Sequence, residues 1–147
     1  MIFVDSNVFV LALRYPRDAN ADDNRQFLDE LRVRGDGVTG MVNVLETCGV
    51  LSFNLNRQQL RSLHAHFARR FAVSVIPESG TSRVIPTTVS QLLGYISRRM
   101  SFGDALVACS VDMWAADAEA FVSWDARHFQ GKIEVAALTP REFLQKV

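Results

Sequence analysis

The sequence predicts a three-layer α/β/α domain with a central, mainly parallel sheet. Short and continuous apolar runs, such as residues 1–4 and 120–124, are typical of strands that are buried on both faces of a parallel sheet. Segments with the apolar spacing of helices alternate with these runs along the chain. Such alternation indicates βαβ units, in which helices cover both faces of the sheet.

Length and composition narrow the class of protein. The chain has 147 residues, which suits a single domain over residues 1–147. Lys and Arg total 16, as do Asp and Glu, so the net charge indicates no particular partner. Cys48 and Cys109 lie in apolar helical segments at a spacing that fits neither a zinc site nor a disulfide framework, so we expect buried free thiols. No signal-peptide pattern and no run of membrane-spanning length is found, so we expect a cytosolic protein without a membrane partner.

In the first half of the chain, the opening strand leads into a helix over residues 8–13, which Ser6 or Asn7 can cap. The further elements follow from apolar spacing, caps and turns. They are a helix from Asp22 or Asp23 to residue 33, a strand at residues 38–39, helices over residues 41–55 and 57–71 with Asn56 as the second cap, and a strand over residues 72–76.

In the second half, Pro86 fits the first turn of a helix that runs to residue 96, after a loop at residues 78–84. Ser101 opens a nearly all-apolar helix over residues 102–116, which we expect to be central and buried. The last predicted elements are a strand over residues 120–124, a strand over residues 133–135 and a terminal helix that opens at Thr139-Pro140.

Four acids that are far apart in the sequence are predicted to meet at one edge of the sheet. Asp5 and Asp125 each follow directly on an apolar strand, and ligands of open α/β sheets bind at the carboxyl ends of the strands. Glu46 and Asp104 lie in the first two turns of helices that begin at the same edge. Apolar neighbours one turn away indicate that Glu46 and Asp104 are not simply solvated.

Carboxylates gathered in a poorly solvated cleft need a cation or bound protons. Oxygen donors without His or Cys favour Mg²⁺ or Mn²⁺ over zinc, and such a site can activate water for displacement at phosphorus. Taken singly, Asp5 could be a helix cap, Asp104 could complement a helix dipole and Asp125 could be a turn acid. Glu46 is the hardest to explain without a function, and the set of four carries the prediction.

Around these acids the sequence resembles the PIN-domain family, and particularly the VapC-type toxins of toxin–antitoxin pairs. The matching segments are residues 2–8 (IFVDSNV), Glu46 in the third helix, residues 102–108 (FGDALVA) and residues 121–129 (FVSWDARHF). The resemblance implies a PIN-like α/β/α domain that cleaves RNA with a metal ion. Asp5, Glu46 and Asp104 take the positions of the family's core acids. Asp125 is the more variable fourth, and Ser123 matches a small hydroxyl position that helps to shape the site.

For a nuclease of this kind we assign Asp5 and Asp104 as direct ligands of Mg²⁺ or Mn²⁺. Glu46 and Asp125 would bind the ion through water, or orient and deprotonate the attacking water. The family chemistry implies products with a 3′-hydroxyl and a 5′-phosphate. The resemblance also implies a homodimer and a small antitoxin, which wraps the toxin and plugs the acidic cleft with a basic side chain.

Some polar residues near the acids have two interpretations. Arg98 and Arg99 lie just before Asp104 and could hold RNA phosphates, and a solvated helix end explains them equally well. His128 follows Asp125 closely, and we interpret it as a structural histidine in the turn. Asp112 is an outside candidate for a contact to the site.

Three functional hypotheses follow. The first is a Mg²⁺-dependent endoribonuclease that is the toxin of a VapBC-type pair. The alternative is a non-catalytic PIN-like module that binds RNA or protein, which the presence of all four acids disfavours. The third is a phosphotransfer domain of haloacid-dehalogenase or receiver type. Asn7 stands where the former would need a second Asp, and Lys132 and Lys146 sit poorly for the latter.

Overall fold

The structure, a computed structural model, describes residues 1–77 and 87–146. Within these residues the strands are β1 (Ile2–Val4), β2 (Gly37–Gly40), β3 (Ser74–Ile76), β4 (Ala120–Val122) and β5 (Ala137–Leu138). They form one sheet in the order β3-β2-β1-β4-β5, and every neighbouring pair is parallel.

Helices of the described residues cover both faces of this sheet. They are α1 (Ser6–Arg14), α2 (Ala21–Arg34), α3 (Met41–Leu51), α4 (Arg57–Phe71), α5 (Val89–Ser97), α6 (Phe102–Trp114), α7 (Ala126–Phe129) and α8 (Pro140–Leu144). The predicted α/β/α class with a parallel sheet is therefore confirmed. None of these helices is long and apolar enough to cross a membrane.

The side chains of β1 alternate between two hydrophobic cores, one on each face of the sheet. Ile2 and Val4 pack in a core with apolar residues of α1, α2, α3, α4 and α8. Phe3 packs in a second core with residues of α6 and α7. All three side chains are fully buried, which explains why β1 is apolar at every position and does not alternate with polar residues.

The order of the strands places a switch point between β1 and β4. From β1 the chain builds the sheet toward β2 and β3, and it later returns on the other side of β1 to add β4 and β5. In open α/β sheets the crevice at such a point, beyond the carboxyl ends of the strands, is where ligands bind. Val4 pairs with Val122, so Asp5 and Ser123 follow side by side at this position.

Several predicted helix boundaries are corrected by the structure. Asp5 caps α1 by accepting from the Ser6 N–H, which confirms the alternative that Asp5 is a helix cap, and the prediction of Ser6 or Asn7 as the cap is wrong. Helix α2 begins at Ala21, so Asp22 and Asp23 lie in its first turn and do not cap it.

Helix α3 ends at Leu51 and not near residue 55, because the chain turns after Ser52, whose N–H donates to Cys48 O. Asn56 caps α4 as predicted. That helix ends at Ala72, which has a left-handed φ of 54°, so the following strand begins only at Ser74.

The strand predicted at residues 133–135 is wrong. Ile133 and Val135 are buried in the second core without forming a strand, and the last strand is β5. The N–H of Glu134 donates to Asp112 Oδ1 at 3.2 Å, so a side chain takes the place of a neighbouring strand as its acceptor. Alternating apolar residues fit this irregular segment as well as they fit a strand.

Helix α6 is capped by Ser101 as predicted, and residues 107–111 in its middle are all buried, whereas Phe102 in its first turn remains 62% exposed. Helix α5 is capped by Thr88. The predicted start of α5 at Pro86 and the predicted loop at residues 78–84 lie outside the described residues. Cys48 and Cys109 are free and buried, as predicted.

Asp112 joins three segments, and its replacement should therefore lower stability. It accepts from the Tyr95 hydroxyl on α5 and from the N–H of Glu134. We expect Asp112→Ala to reduce the free energy of unfolding by about 1–3 kcal/mol, because the partly buried Tyr95 hydroxyl and the N–H of Glu134 both lose their acceptor. Urea unfolding measures this loss.

The control is Asp29→Ala, whose side chain is 64% exposed and pairs only with Arg32 on the same helix. We expect this change to alter stability by no more than about 0.5 kcal/mol. Equal stabilities of the two variants would contradict the structural role of Asp112.

Candidate active site

Asp5 is the buried centre of the site, since only 5% of this residue is exposed. Its Oδ1 accepts from the Ser6 N–H at 2.8 Å and from Asn43 Nδ2 at 2.9 Å. Its Oδ2 accepts from Ser123 Oγ at 2.7 Å. These donors come from α1, from α3 and from the residue after β4, so three parts of the chain hold one carboxylate.

The electrostatic environment of Asp5 opposes its ionisation. Burial raises the pKa of Asp5 to about 6, the hydrogen bond from Ser123 lowers this pKa, and the negative charge of Glu46 raises it. Burial therefore outweighs the donors. Carboxyl groups with a pKa near neutrality are enriched at functional sites, where a bound cation or a proton transfer makes use of them.

The hydroxyl of Ser123 uses both of its lone pairs and its hydrogen in this network of hydrogen bonds. Its oxygen accepts from Asn7 Nδ2 at 2.9 Å and from the Asp125 N–H at 3.0 Å. Both lone pairs are then occupied, so its own hydrogen is directed to Asp5. Ser123 is also completely buried, which favours a role in holding Asp5 over direct contact with a substrate.

Asn7 connects the end of β1 to the end of β4. Its Oδ1 accepts from the Trp124 N–H at 3.1 Å, which fixes the orientation of the amide. Its Nδ2 then faces Ser123 and also donates to Asp125 Oδ2 at 3.3 Å. We had not predicted Asn7 or Asn43 as site residues. The only sequence signal for Asn7 is its position near Asp5, and the only signal for Asn43 is its position near Glu46.

Glu46 approaches Asp5 through Ser6. Ser6 Oγ donates to Glu46 Oε2 at 2.5 Å and lies 3.3 Å from Asp5 Oδ1. Glu46 is exposed to solvent, as is Asp125, so the expectation of a poorly solvated site holds only for Asp5. Helix α6 passes beside Glu46, because a Cβ on Gly103 would lie 3.6 Å from Glu46 Oε1.

Asp104 is held by different partners from the other acids. Its Oδ2 accepts from Ser101 Oγ at 2.7 Å and lies 3.1 Å from His128 Nε2. Its side chain is 34% exposed. The structure therefore places Asp5 and Glu46 together, connects Asp125 to Asp5 through Asn7 and Ser123, and directs the carboxylate of Asp104 toward His128.

The donor set fits a hard divalent cation. Ion pairs of the described residues leave Asp5, Glu46 and Asp125 without a cationic partner. No three Asp, Glu, His or Cys side chains in residues 1–77 and 87–146 form a ready-made metal cluster. Mg²⁺ binds with one or two carboxylates and several waters, so Asp5 with Glu46 or Asp104 would suffice. The assigned roles of the acids stay predictions.

Arg98 and Asp112 have structural contacts outside the group of acids. Arg98 Nη1 donates to Lys132 O at 3.0 Å, and its guanidinium lies over the ring of Tyr95. Arg99 has a left-handed φ of 62° just after α5. Asp112 binds Tyr95 and does not join the site. A role of the two arginines in holding RNA stays a prediction.

Comparison with solved structures shows that the fold is PIN-like. The chain is similar to a chain in the structure of FitAB bound to an IR36 DNA fragment, with a TM-score of 0.59 and 16% sequence identity over 95% of each chain. At this identity the likeness shows the fold alone. No family model and no curated protein matches the chain. The predicted PIN-like architecture is confirmed, and membership of the VapC-type toxins stays a prediction.

Asp5 should make stability depend on pH in a specific way. Its pKa of about 6 in the folded protein lies above 3.8, so the folded state binds its proton more tightly. This contribution to stability is present in acid and is lost as the pH rises through 6. The free energy of unfolding of Asp5→Asn relative to the wild type should therefore rise by about 2 kcal/mol between pH 4.5 and pH 7.5.

Urea unfolding in the presence of a chelator measures this trend, because the variant lacks only the titrating group. The substitution can also change the free energy of unfolding by an amount that is the same at every pH, so the difference at one pH is not the test. If the difference between the variant and the wild type is the same at pH 4.5 and pH 7.5, the raised pKa of Asp5 is contradicted.

Gly40 leaves the space that the Asn43 side chain needs. A Cβ on Gly40 would lie 2.8 Å from Asn43 Oδ1, a buried oxygen with no hydrogen-bond partner among the described residues. We expect Gly40→Ala to displace the amide from Asp5 and to cost about 1–3 kcal/mol of folding free energy. Thermal or urea unfolding measures the cost.

Gly49→Ala is the matched control, since a Cβ at Gly49 meets no atom of the described residues within 4 Å, apart from its chain neighbours and the backbone of its own helix. This helix position should gain about 0.5–1 kcal/mol from Ala. If Gly40→Ala were equally well tolerated, the close packing between Gly40 and Asn43 would be refuted.

Proposed function

We propose that the chain is a Mg²⁺- or Mn²⁺-dependent endoribonuclease and the toxin of a VapBC-type pair. The observation that carries this proposal is Asp5, a buried carboxylate with a raised pKa at the switch point of the sheet. Glu46 lies next to it through Ser6, and no cationic side chain of the described residues pairs with either acid. A cation would relieve the charge that burial and repulsion leave uncompensated.

The roles of the acids follow from their surroundings. Asp5 and Asp104 would hold the ion. Ser123 Oγ donates to Asp5 Oδ2 and Ser101 Oγ donates to Asp104 Oδ2, so the orientation of each carboxylate is fixed. Glu46 is exposed at the site and is held by Ser6, which suits a group that orients the attacking water and accepts its proton. Asp125 would assist in the same way.

The reaction would be hydrolysis of an RNA phosphodiester. A bound Mg²⁺ or Mn²⁺ would polarise water and neutralise charge on the phosphate. The water oxygen bonds to phosphorus as the bond to the 3′ oxygen breaks, and a proton reaches that departing oxygen. The products carry a 3′-hydroxyl and a 5′-phosphate. Arg98 and Arg99 would contact neighbouring RNA phosphates.

A protein partner is the second part of the proposal. FitAB, which contains the structural neighbour, is a PIN-type toxin–antitoxin complex. This likeness supports a small antitoxin as a partner. From the resemblance in sequence we further propose that the antitoxin covers the acidic site with a basic side chain and that the toxin forms a homodimer.

One observation favours the alternative of a non-catalytic PIN-like module that binds RNA or protein. Among the described residues no three acids form a ready-made cluster, because the Asp104 carboxylate is directed toward Ser101 and His128. Such a module would keep the fold without cutting RNA.

Cleavage of total RNA by the purified chain, free of any partner, separates the two functions. We expect cutting with Mg²⁺ or Mn²⁺, none with chelator, and a loss on the order of 100-fold or more for Asp5→Asn. Asp22→Asn should cut like the wild type, since the Asp22 side chain is 88% exposed on α2.

Mn²⁺ binding to the same preparations completes the test. A folded wild type that binds no Mn²⁺ and cuts nothing would refute the nuclease and leave the binding module. Cutting that persists in Asp5→Asn would show that a contaminant, and not this site, is responsible.

A further inference from the structure

His128 makes the contact between α7 and the acid of α6. Its Nε2 lies 3.1 Å from Asp104 Oδ2, and its side chain is 40% exposed. Ser101 Oγ donates a hydrogen bond to the same oxygen, and Ser101 belongs to the cap of the same helix. In the residues described, His128 is therefore the side chain from another element that fixes the Asp104 carboxylate.

The position of His128 is itself fixed by a buried neighbour. Phe129 is 1% exposed, and its ring centroid lies 4.7 Å from that of Phe121 on β4. The His128 ring stands perpendicular to Phe129, with centroids 5.9 Å apart. Helix α7 begins directly after Asp125, its N-cap residue, so one short helix anchored on the sheet carries both Asp125 and His128.

The contact with Asp104 determines what His128 can do. Its Nε2 lies 3.1 Å from Asp104 Oδ2, so this nitrogen contacts the acid directly. Both side chains that contact the Asp104 carboxylate, Ser101 and His128, do so at Oδ2, which leaves Oδ1 for another partner. Partners that orient a metal-binding carboxylate in this way commonly change metal affinity by about 10–100-fold.

We propose that His128 is a positioning residue for metal binding. Its Nε2 contacts Asp104 Oδ2 and thereby orients Oδ1 toward the ion, and it connects the α6 acid to the Asp125 end of the site. This inference rests on the proposed metal-dependent function. It goes beyond the interpretation of His128 as a structural histidine in the turn.

The test is Mn²⁺ binding to the full chain without RNA, followed by electron paramagnetic resonance. We expect His128→Ala to bind Mn²⁺ about 10–100-fold more weakly than the wild type. The amide of His128→Gln reaches the place of Nε2 and should restore affinity to within about threefold. His128→Asn carries the same amide on a shorter side chain and should fail to restore it.

His64→Ala is the control, because His64 is exposed on α4. A second readout separates positioning from direct chemistry. Any loss of RNA cleavage in His128→Ala should disappear at saturating Mn²⁺, whereas the loss of a catalytic group would persist.

The outcomes distinguish this inference from the proposed function. If the wild type binds Mn²⁺ and folded His128→Ala binds it equally well or more tightly, His128 does not position Asp104 and the nuclease proposal stands. Equal affinities of the Gln and Asn variants would also overturn the inference. If the wild type binds no Mn²⁺, both proposals fall together.

Discussion

The burial of the Asp5 carboxylate is the constraint on which the rest of the site depends. A buried charge is costly unless donors or a cation compensate it. The chain supplies donors from three places, Ser6 on α1, Asn43 on α3 and Ser123 after β4. The parallel pairing of β1 with β4 is what brings Ser123 beside Asp5. These donors do not remove the cost, since the pKa of Asp5 remains raised.

Two chains of hydrogen bonds extend from this carboxylate to the solvent. One runs through Ser123 and Asn7 to Asp125, and the other runs through Ser6 to Glu46. Each chain of hydrogen bonds ends at an exposed acid. The buried Asp5 carboxylate is therefore connected to Glu46 and Asp125, which solvent can reach. An ionised Asp5 without a cation lowers the stability of the folded protein. A cation that binds at Asp5 would recover this free energy and stabilise the folded state.

The sequence predicts the parts of the fold that depend on local pattern. Buried strands such as β1 are apolar at every position, and Asn56 and Ser101 are capping residues by type. Residues 133–135 were misassigned because alternating apolar residues pack equally well in an irregular segment. The exposure of Glu46 was missed because only Val42, of its apolar neighbours one helical turn away, is buried, whereas Gly49 and Val50 are exposed.

Contacts between distant residues could not be predicted from one sequence. Asn43 binds Asp5 across 38 positions, and Asn7 binds Ser123 across 116. His128 and Asp104 meet only because α7 is anchored on β4 beside α6. The sequence therefore predicts the acids of the candidate site, and the tertiary structure shows which residues contact them.

The most direct test of this account is a crystal structure of the chain soaked with Mn²⁺, in which anomalous scattering locates the ion. The account predicts an ion bound to a carboxylate oxygen of Asp5, at about 2.0–2.3 Å, with waters completing its coordination. An Asp5 carboxylate that stays free of metal at saturating Mn²⁺ and neutral pH would contradict the account.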